Sequence, residues 1–270
     1  MTPLSQTRLV VFLLTTFAIS WACWWTLASL VHSGAIQSGQ RLFFRLFLIG
    51  GLGPTIATYV AVAATPSEGR IREFHSRLFK WRVGVRWYLA ALGVPLAVGV
   101  GVVLVAQALR PGVVRGLSIL PWYRAFLWFP IMVLGGGLEE LGWRGVAQPA
   151  LEQRTSRGIA ALVVGLIWGI WHLPLFSAGM PNSHLSFAIF VVTTIGLSLI
   201  LAWLYGETRS ILLCILFHAA LNTTATMGFP TPMGIQGAAG VATALLEVMV
   251  GLMLVLATKS GEPAFTARGV

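Results

Sequence analysis

Six polar residues stand out in a chain that is otherwise strongly apolar: Glu139, Glu140, Arg144, His172, His218 and Asn222. Glu140 and Arg144 are four positions apart, so on a helix they share a face and can form an ion pair. Glu139 is rotated by about 100° from Glu140 on the same helix. One carboxylate can therefore be held by the arginine while its neighbour points elsewhere and is free to act as a general base. His218 and Asn222 repeat the four-residue spacing within a second apolar run, so both face one groove. His172 closes a third run, Trp168-Gly-Ile-Trp-His172-Leu-Pro174, where Pro174 removes a backbone donor and perturbs the helix just beyond the histidine.

The elements that must carry these residues are membrane helices. Of the 270 residues 57% are hydrophobic and only 10% charged, against roughly 25% charged in soluble domains; the mean hydropathy is +0.83. A helical crossing needs ~20 apolar residues, so the chain holds several crossings and no second domain. The expected fold is an all-α, polytopic helix bundle of eight spans. They are Leu9–Val31, Leu42–Ala64, Trp87–Leu109, Tyr123–Gln148, Gly158–Phe176, Leu185–Tyr205, Ser210–Thr224 and Gly237–Ala257, the seventh being short for a full crossing. The first exceeds the ~7–15 residues of a signal-peptide core and is read as a retained span.

The formal charge of +10, from 18 Lys and Arg against 8 Glu and no Asp, resembles a nucleic-acid signal until the charges are placed. Most lie in connectors between apolar runs, and no basic face interleaved with aromatics exists, which argues against nucleic acid. With the N-terminus cytoplasmic, Arg8, Arg70, Arg72, Arg77, Lys80, Arg82, Arg86, Arg144, Arg154, Arg157, Arg209, Lys259 and Arg268 put 13 basic residues on that side. Arg41, Arg45, Arg110, Arg115 and Arg124 put 5 on the other. Both termini are thus expected in the cytoplasm. The connector Thr65–Arg86, with Phe74, Leu78, Phe79 and Trp81 among its charges, reads either as an interfacial helix on an anionic leaflet or as a topology-setting loop. Gly50, Gly51, Gly53, Gly135–Gly137, Gly165 and Gly169 suit close helix approach.

Burying a charged side chain at the centre of a membrane span costs ~2.5–3.5 kcal/mol on insertion scales, so such residues pair or do work. Counting inward from Glu152 and Gly158, Glu139 and His172 both lie at ~20 Å from the cytoplasmic surface; His218, counted from Arg209, lies at ~14 Å. Three helices thus converge on one cavity near mid-bilayer. Each residue taken singly has a plainer role as a packing or helix-stapling group. His32 and His184 read as interfacial, His75 as solvated, and Glu207 with Arg209 as a surface pair. Cys23 and Cys214 read as small buried hydrophobes. Glu247, alone in the last span, has no assigned role.

The motifs resemble a known family. Glu139-Glu140-Leu-Gly-Trp-Arg144 is similar to the EExxxR motif of the CPBP intramembrane proteases, which include the CAAX prenyl protease 2 (Rce1) type and abortive-infection proteins. Trp168-Gly-Ile-Trp-His172 resembles their FxxxH motif, with Trp168 in place of Phe, and His218-Ala-Ala-Leu-Asn222 their HxxxN motif. The resemblance spans residues 123–224 as a catalytic core within a single membrane domain, 1–270. It implies that Glu139, helped by His172, activates water for attack on a peptide carbonyl, that His218 and Asn222 stabilise the oxyanion, and that Glu140 and Arg144 support them. Two Glu and two His also suit zinc, although the HExxH helix is absent; metal-assisted and metal-free routes are equally allowed.

The expected function is an intramembrane endopeptidase acting on a peptide or membrane-protein substrate, a prenylated CAAX tail or a leader peptide, in a bacterial cytoplasmic membrane. The alternatives are a small-molecule or proton transporter with Glu139, His172 and His218 as a relay, and a non-proteolytic scaffold or immunity protein. No internal repeat of the kind found in transporters is visible.

Overall fold

The computed structural model describes residues 2–65, 70–109, 111–112, 118–178, 186–231, 235 and 237–257. Arg110, Arg115, His184, Lys259 and Arg268, which entered the topology reading above, lie outside them.

The described residues form an all-α bundle of an integral, multi-pass membrane protein. The chain opens with α1 (Pro3–His32), capped by the Thr2 side chain, which accepts from the Ser5 N–H. The second apolar run is two helices, α2 (Arg41–Gly51) and α3 (Gly53–Ala64), meeting at Leu52. Pro54, in the first turn of α3, has no N–H to continue the α2 ladder, which accounts for the break. α4 (Arg70–Leu78) follows, then α5 (Val85–Leu109). The fourth run, expected as one helix, is segmented into α6 (Ala125–Leu134), a 3₁₀ turn (Gly137–Glu139), α7 (Glu140–Gly142), a π turn (Trp143–Ala147) and α8 (Gln148–Leu151).

α9 (Arg157–Trp171) and α10 (Leu173–Ser177) flank His172, with Pro174 in the first turn of α10. α11 (Phe187–Thr208), α12 (Ile211–Thr226) and α13 (Ala238–Ala257) complete the bundle. Ser156, Ser186 and Ser210 cap α9, α11 and α12. Among the described residues seven helical stretches are long and apolar enough to cross a membrane. The seventh expected span, α12, has 16 residues and is ~24 Å long at 1.5 Å per residue, short of a ~30 Å hydrocarbon core. It packs against α5, α6 and α11 together.

Glycines set the closest approaches. A Cβ at Gly165 would lie 2.6 Å from the Ile195 Cα, so α9 and α11 touch backbone to backbone. On the outside, Leu14, Leu89, Leu104, Phe126 and Leu256 are exposed, as a lipid-facing surface requires.

The basic connector resolves into a helix docked on the protein. Phe74 and Leu78 of α4 are buried in a core cluster, and Arg77 donates to the Tyr205 hydroxyl at 2.8 Å. Phe79 and Trp81 are exposed. Glu207 and Arg209 do not pair with each other. Arg157 approaches Glu207 at 3.8 Å and Arg209 approaches Glu152 at 3.8 Å. Arg209 takes a left-handed conformation (φ 50°) that ends α11.

Candidate functional site

The break after α6 places the two glutamates. Gly135 and Gly136 end the helix, and the Glu139 N–H closes the following 3₁₀ turn on the Gly136 carbonyl at 2.9 Å. Thr55 of α3 donates to the Leu138 carbonyl at 2.9 Å and pins that turn from the neighbouring helix. A helix resumes at Glu140 and widens into the π turn at Trp143–Ala147, a local distortion that often accompanies functional sites.

Behind the site lies a fully internal ion cluster. The Glu140 and Arg144 side chains have no exposure, and Arg144 Nη1 sits 3.0 Å from Glu140 Oε2. His218 Nδ1 is 2.9 Å from Glu140 Oε1. Arg144 Nη2 donates to the Ser198 hydroxyl at 3.0 Å, which ties the cluster to α11. The expected Glu140–Arg144 pairing is thus present, and a third helix contributes His218 to it.

Glu139 faces the other way. Its Oε2 accepts a 2.8 Å hydrogen bond from the Trp168 indole N–H. The Trp168 ring also lies edge-on to His218, with centroids 5.3 Å apart, and 5.7 Å from the Arg144 guanidinium carbon. With the His172 ring also 6.1 Å from it, one indole on α9 lies against four of the six candidate residues. His172 caps the same helix, with Nδ1 2.9 Å from the Trp168 carbonyl, and its ring packs among Trp24, Trp171 and Phe190.

A cavity of about 280 Å³ opens at this point, lined by Glu139, His172, His218 and Asn222 among others. Glu140 and Arg144 do not line it; they support it from behind. His218 Nε2 and Asn222 Nδ2 converge in front of Gly136, where an added Cβ would lie 3.2 Å from the histidine nitrogen and against the Asn222 amide. Only a glycine leaves that space open.

Four contributors escaped the sequence reading. Trp168 was noted only as an aromatic replacement, although a buried indole N–H needs an acceptor. Ser198 and Gly136 are ordinary residues until the helices are packed. Glu247, on α13, lines the same cavity.

The donor set does not fit a zinc site as arranged. Among the described residues no three His, Cys, Asp or Glu side chains are grouped so that they could hold one metal ion. Glu140 is committed to Arg144 and His218, and His172 spends Nδ1 on a backbone carbonyl.

Residues 121–224 match the family described as type II CAAX prenyl endopeptidase, Rce1-like. This core resembles the Rce1-like family. The wider chain is similar to the CAAX prenyl protease 2 of Methanococcus maripaludis, 24% identical over 225 residues that cover 78% of this chain and 81% of the relative. The matched stretch contains all six candidate residues, together with Gly136, Trp168 and Ser198, whereas Glu247 and α1–α5 lie outside it.

Proposed function

We propose that the protein is an intramembrane endopeptidase in which Glu139 activates a water for attack on a peptide carbonyl. The observation that carries this reading is the single-sided tether of Glu139. Trp168 holds Oε2, while the carboxylate lines a cavity shared with His172, His218 and Asn222. A fixed base, an enclosed reaction space and convergent donors are what acyl hydrolysis needs.

The hydrogen bonds constrain the histidines. A backbone carbonyl only accepts, so His172 Nδ1 carries a proton and its neutral ring offers the Nε2 lone pair, able to accept from the attacking water. His218 Nδ1 likewise donates to the Glu140 carboxylate. For Nε2 to donate as well, His218 must be an imidazolium, with Glu140 as its counter-charge. The cluster then balances, with Glu139 and Glu140 against Arg144 and His218.

In the proposed reaction Glu139 takes a proton from water as the water oxygen bonds to the carbonyl carbon. Charge develops on the carbonyl oxygen, which His218 Nε2–H and the Asn222 amide stabilise. The carbon–nitrogen bond then breaks as the proton on Glu139 passes to the leaving amine, giving a carboxylic acid and an amine. The substrate is a peptide tail presented at the membrane, with a prenylated C-terminal tail and a leader peptide as the two forms to test.

The test is cleavage of membrane-proximal peptide reporters by the purified protein in lipid nanodiscs, read by mass spectrometry of the new termini. Glu139→Ala, His172→Ala and His218→Ala are each expected to abolish cleavage while the protein stays folded. Full activity in Glu139→Ala would overturn the mechanism. Elemental analysis and chelator titration of the same preparation separate the metal-free route from a metal-assisted one.

A further inference from the structure

The cavity contains a second carboxylate that the proposed chemistry does not use. Glu247 sits midway along α13 and is only 4% exposed. It is held inside by a close helix contact: a Cβ at Gly196 would lie 2.9 Å from the Cβ and carbonyl carbon of Glu247, and one at Gly251 would lie 2.6 Å from the Leu199 Cβ. α11 and α13 therefore meet backbone to backbone, which turns Glu247 toward the protein interior and away from lipid.

Among the described residues Glu247 Oε2 has no hydrogen-bond partner. It lines the cavity that Glu139, His172, His218 and Asn222 also line, and no Lys or Arg is among the lining residues. Glu139 has Trp168 at hand and the Glu140–Arg144–His218 cluster behind it. The cavity wall also includes Phe190 and Leu197, with the threonine pair Thr193 and Thr194. Thr194 directs its hydroxyl to the Gly165 and Val191 carbonyls, so that donor is already spent.

A buried carboxylate without a partner is retained where a partner arrives from outside. The chemistry that fits is a cation on a flexible apolar stem, since Lys and Arg lay their methylenes along apolar walls while the charged head reaches a polar group. Resting on the endopeptidase reading, we propose that Glu247 is the recognition group for a lysine or arginine side chain near the scissile bond. The site would thereby select basic residues at one substrate position, a specificity element that lies outside the Rce1-like core.

The experiment compares reporter peptides that carry lysine or its uncharged isostere norleucine at each position flanking the cut. The wild-type protein is expected to prefer lysine at one position by at least about tenfold in kcat/KM. In Glu247→Gln the lysine-to-norleucine ratio should fall to about one. An unchanged ratio, or an equal loss on both peptides, overturns the proposal. Glu247→Asp, which keeps the charge on a shorter stem, should retain part of the preference, and a flat ratio in that folded variant also overturns it. Binding separates this proposal from the proteolytic reading. Peptides with an N-methylated scissile bond are titrated against Glu139→Gln and against Glu139→Gln/Glu247→Gln. Lysine should bind at least about tenfold better than norleucine to the first and equally to the second, even if the wild-type protein cleaves nothing. Equal binding to the first variant would overturn the recognition role.

Discussion

Glu140 and Glu247 are the same residue type at nearly the same burial, 0% and 4% exposed, yet they sit in opposite circumstances. Glu140 is met by Arg144 and His218 within 3.0 Å, so each of its oxygens faces a nitrogen of the protein before any ligand arrives. Glu247 makes no ion pair among the described residues and borders an open cavity. The difference shows that a buried charge is not one kind of feature. Where its partners come from other helices, it fixes how those helices meet. Where its partner is missing, it is available to whatever enters.

The largest expected effect comes from breaking the completed cluster. Arg144→Met removes the guanidinium from Glu140 and from Ser198 while keeping a long apolar stem. Stranding one member of a buried pair costs ~3–5 kcal/mol. Denaturant titration in mixed micelles should therefore show a large loss of stability, and cleavage should vanish. Glu247→Gln in the same assay should change stability by less than ~1 kcal/mol, because no internal partner is stranded. Similar losses in the two variants would erase the distinction between them.

A second effect separates the supporting cluster from the reaction space in front of it. Gly136→Ala leaves Glu140, Arg144 and His218 in place but sets a methyl group against Asn222 Nδ2 and 3.2 Å from His218 Nε2. Loss of an oxyanion donor typically lowers kcat by ~10²–10³-fold. A fall of about 10²-fold in kcat, with KM within about threefold and the unfolding midpoint retained, is expected from steady-state kinetics on the reporter. Full kcat would mean that the two donors do not meet the developing charge.

Much of this was legible in the chain itself. Apolar runs about a span long announced the bundle, and four-residue spacings paired Glu140 with Arg144 on the right face. What could not be read depended on how helices meet. The break at Leu52, the glycine break at Gly135–Gly136 and the π turn at Trp143–Ala147 interrupt runs whose hydropathy is continuous, since apolar residues suit all of these backbones equally. Glu207 and Arg209, neighbours in sequence, part because the left-handed turn at Arg209 sends them to different helices. Glu247 could not be placed because a fully apolar helix has no periodicity to say which face turns inward; Gly196, 51 residues earlier, decides it.

The smallest expected effect is the most specific to this chain. Trp168 stands where the motif it resembles has phenylalanine, and phenylalanine cannot donate to Glu139. Trp168→Phe keeps a smaller ring near His218 and Arg144 and removes the N–H that holds Oε2. Losing a hydrogen bond to a charged group costs ~1.5–3 kcal/mol when the partner is left dry. Here the freed oxygen borders a cavity that water can enter, so the loss should fall toward ~1–2 kcal/mol, or about fivefold to thirtyfold in kcat. KM should hardly move, while the unfolding midpoint should fall somewhat, because the smaller ring leaves part of the indole's buried volume unfilled. Trp168→Leu, which deletes the ring as well, should lower both stability and kcat further. If Trp168→Phe were as inactive as Glu139→Ala, the indole would be indispensable to the chemistry itself. If it were fully active, Trp168 would not be what orients the base, and the tether would have to lie in the Gly136–Glu139 turn.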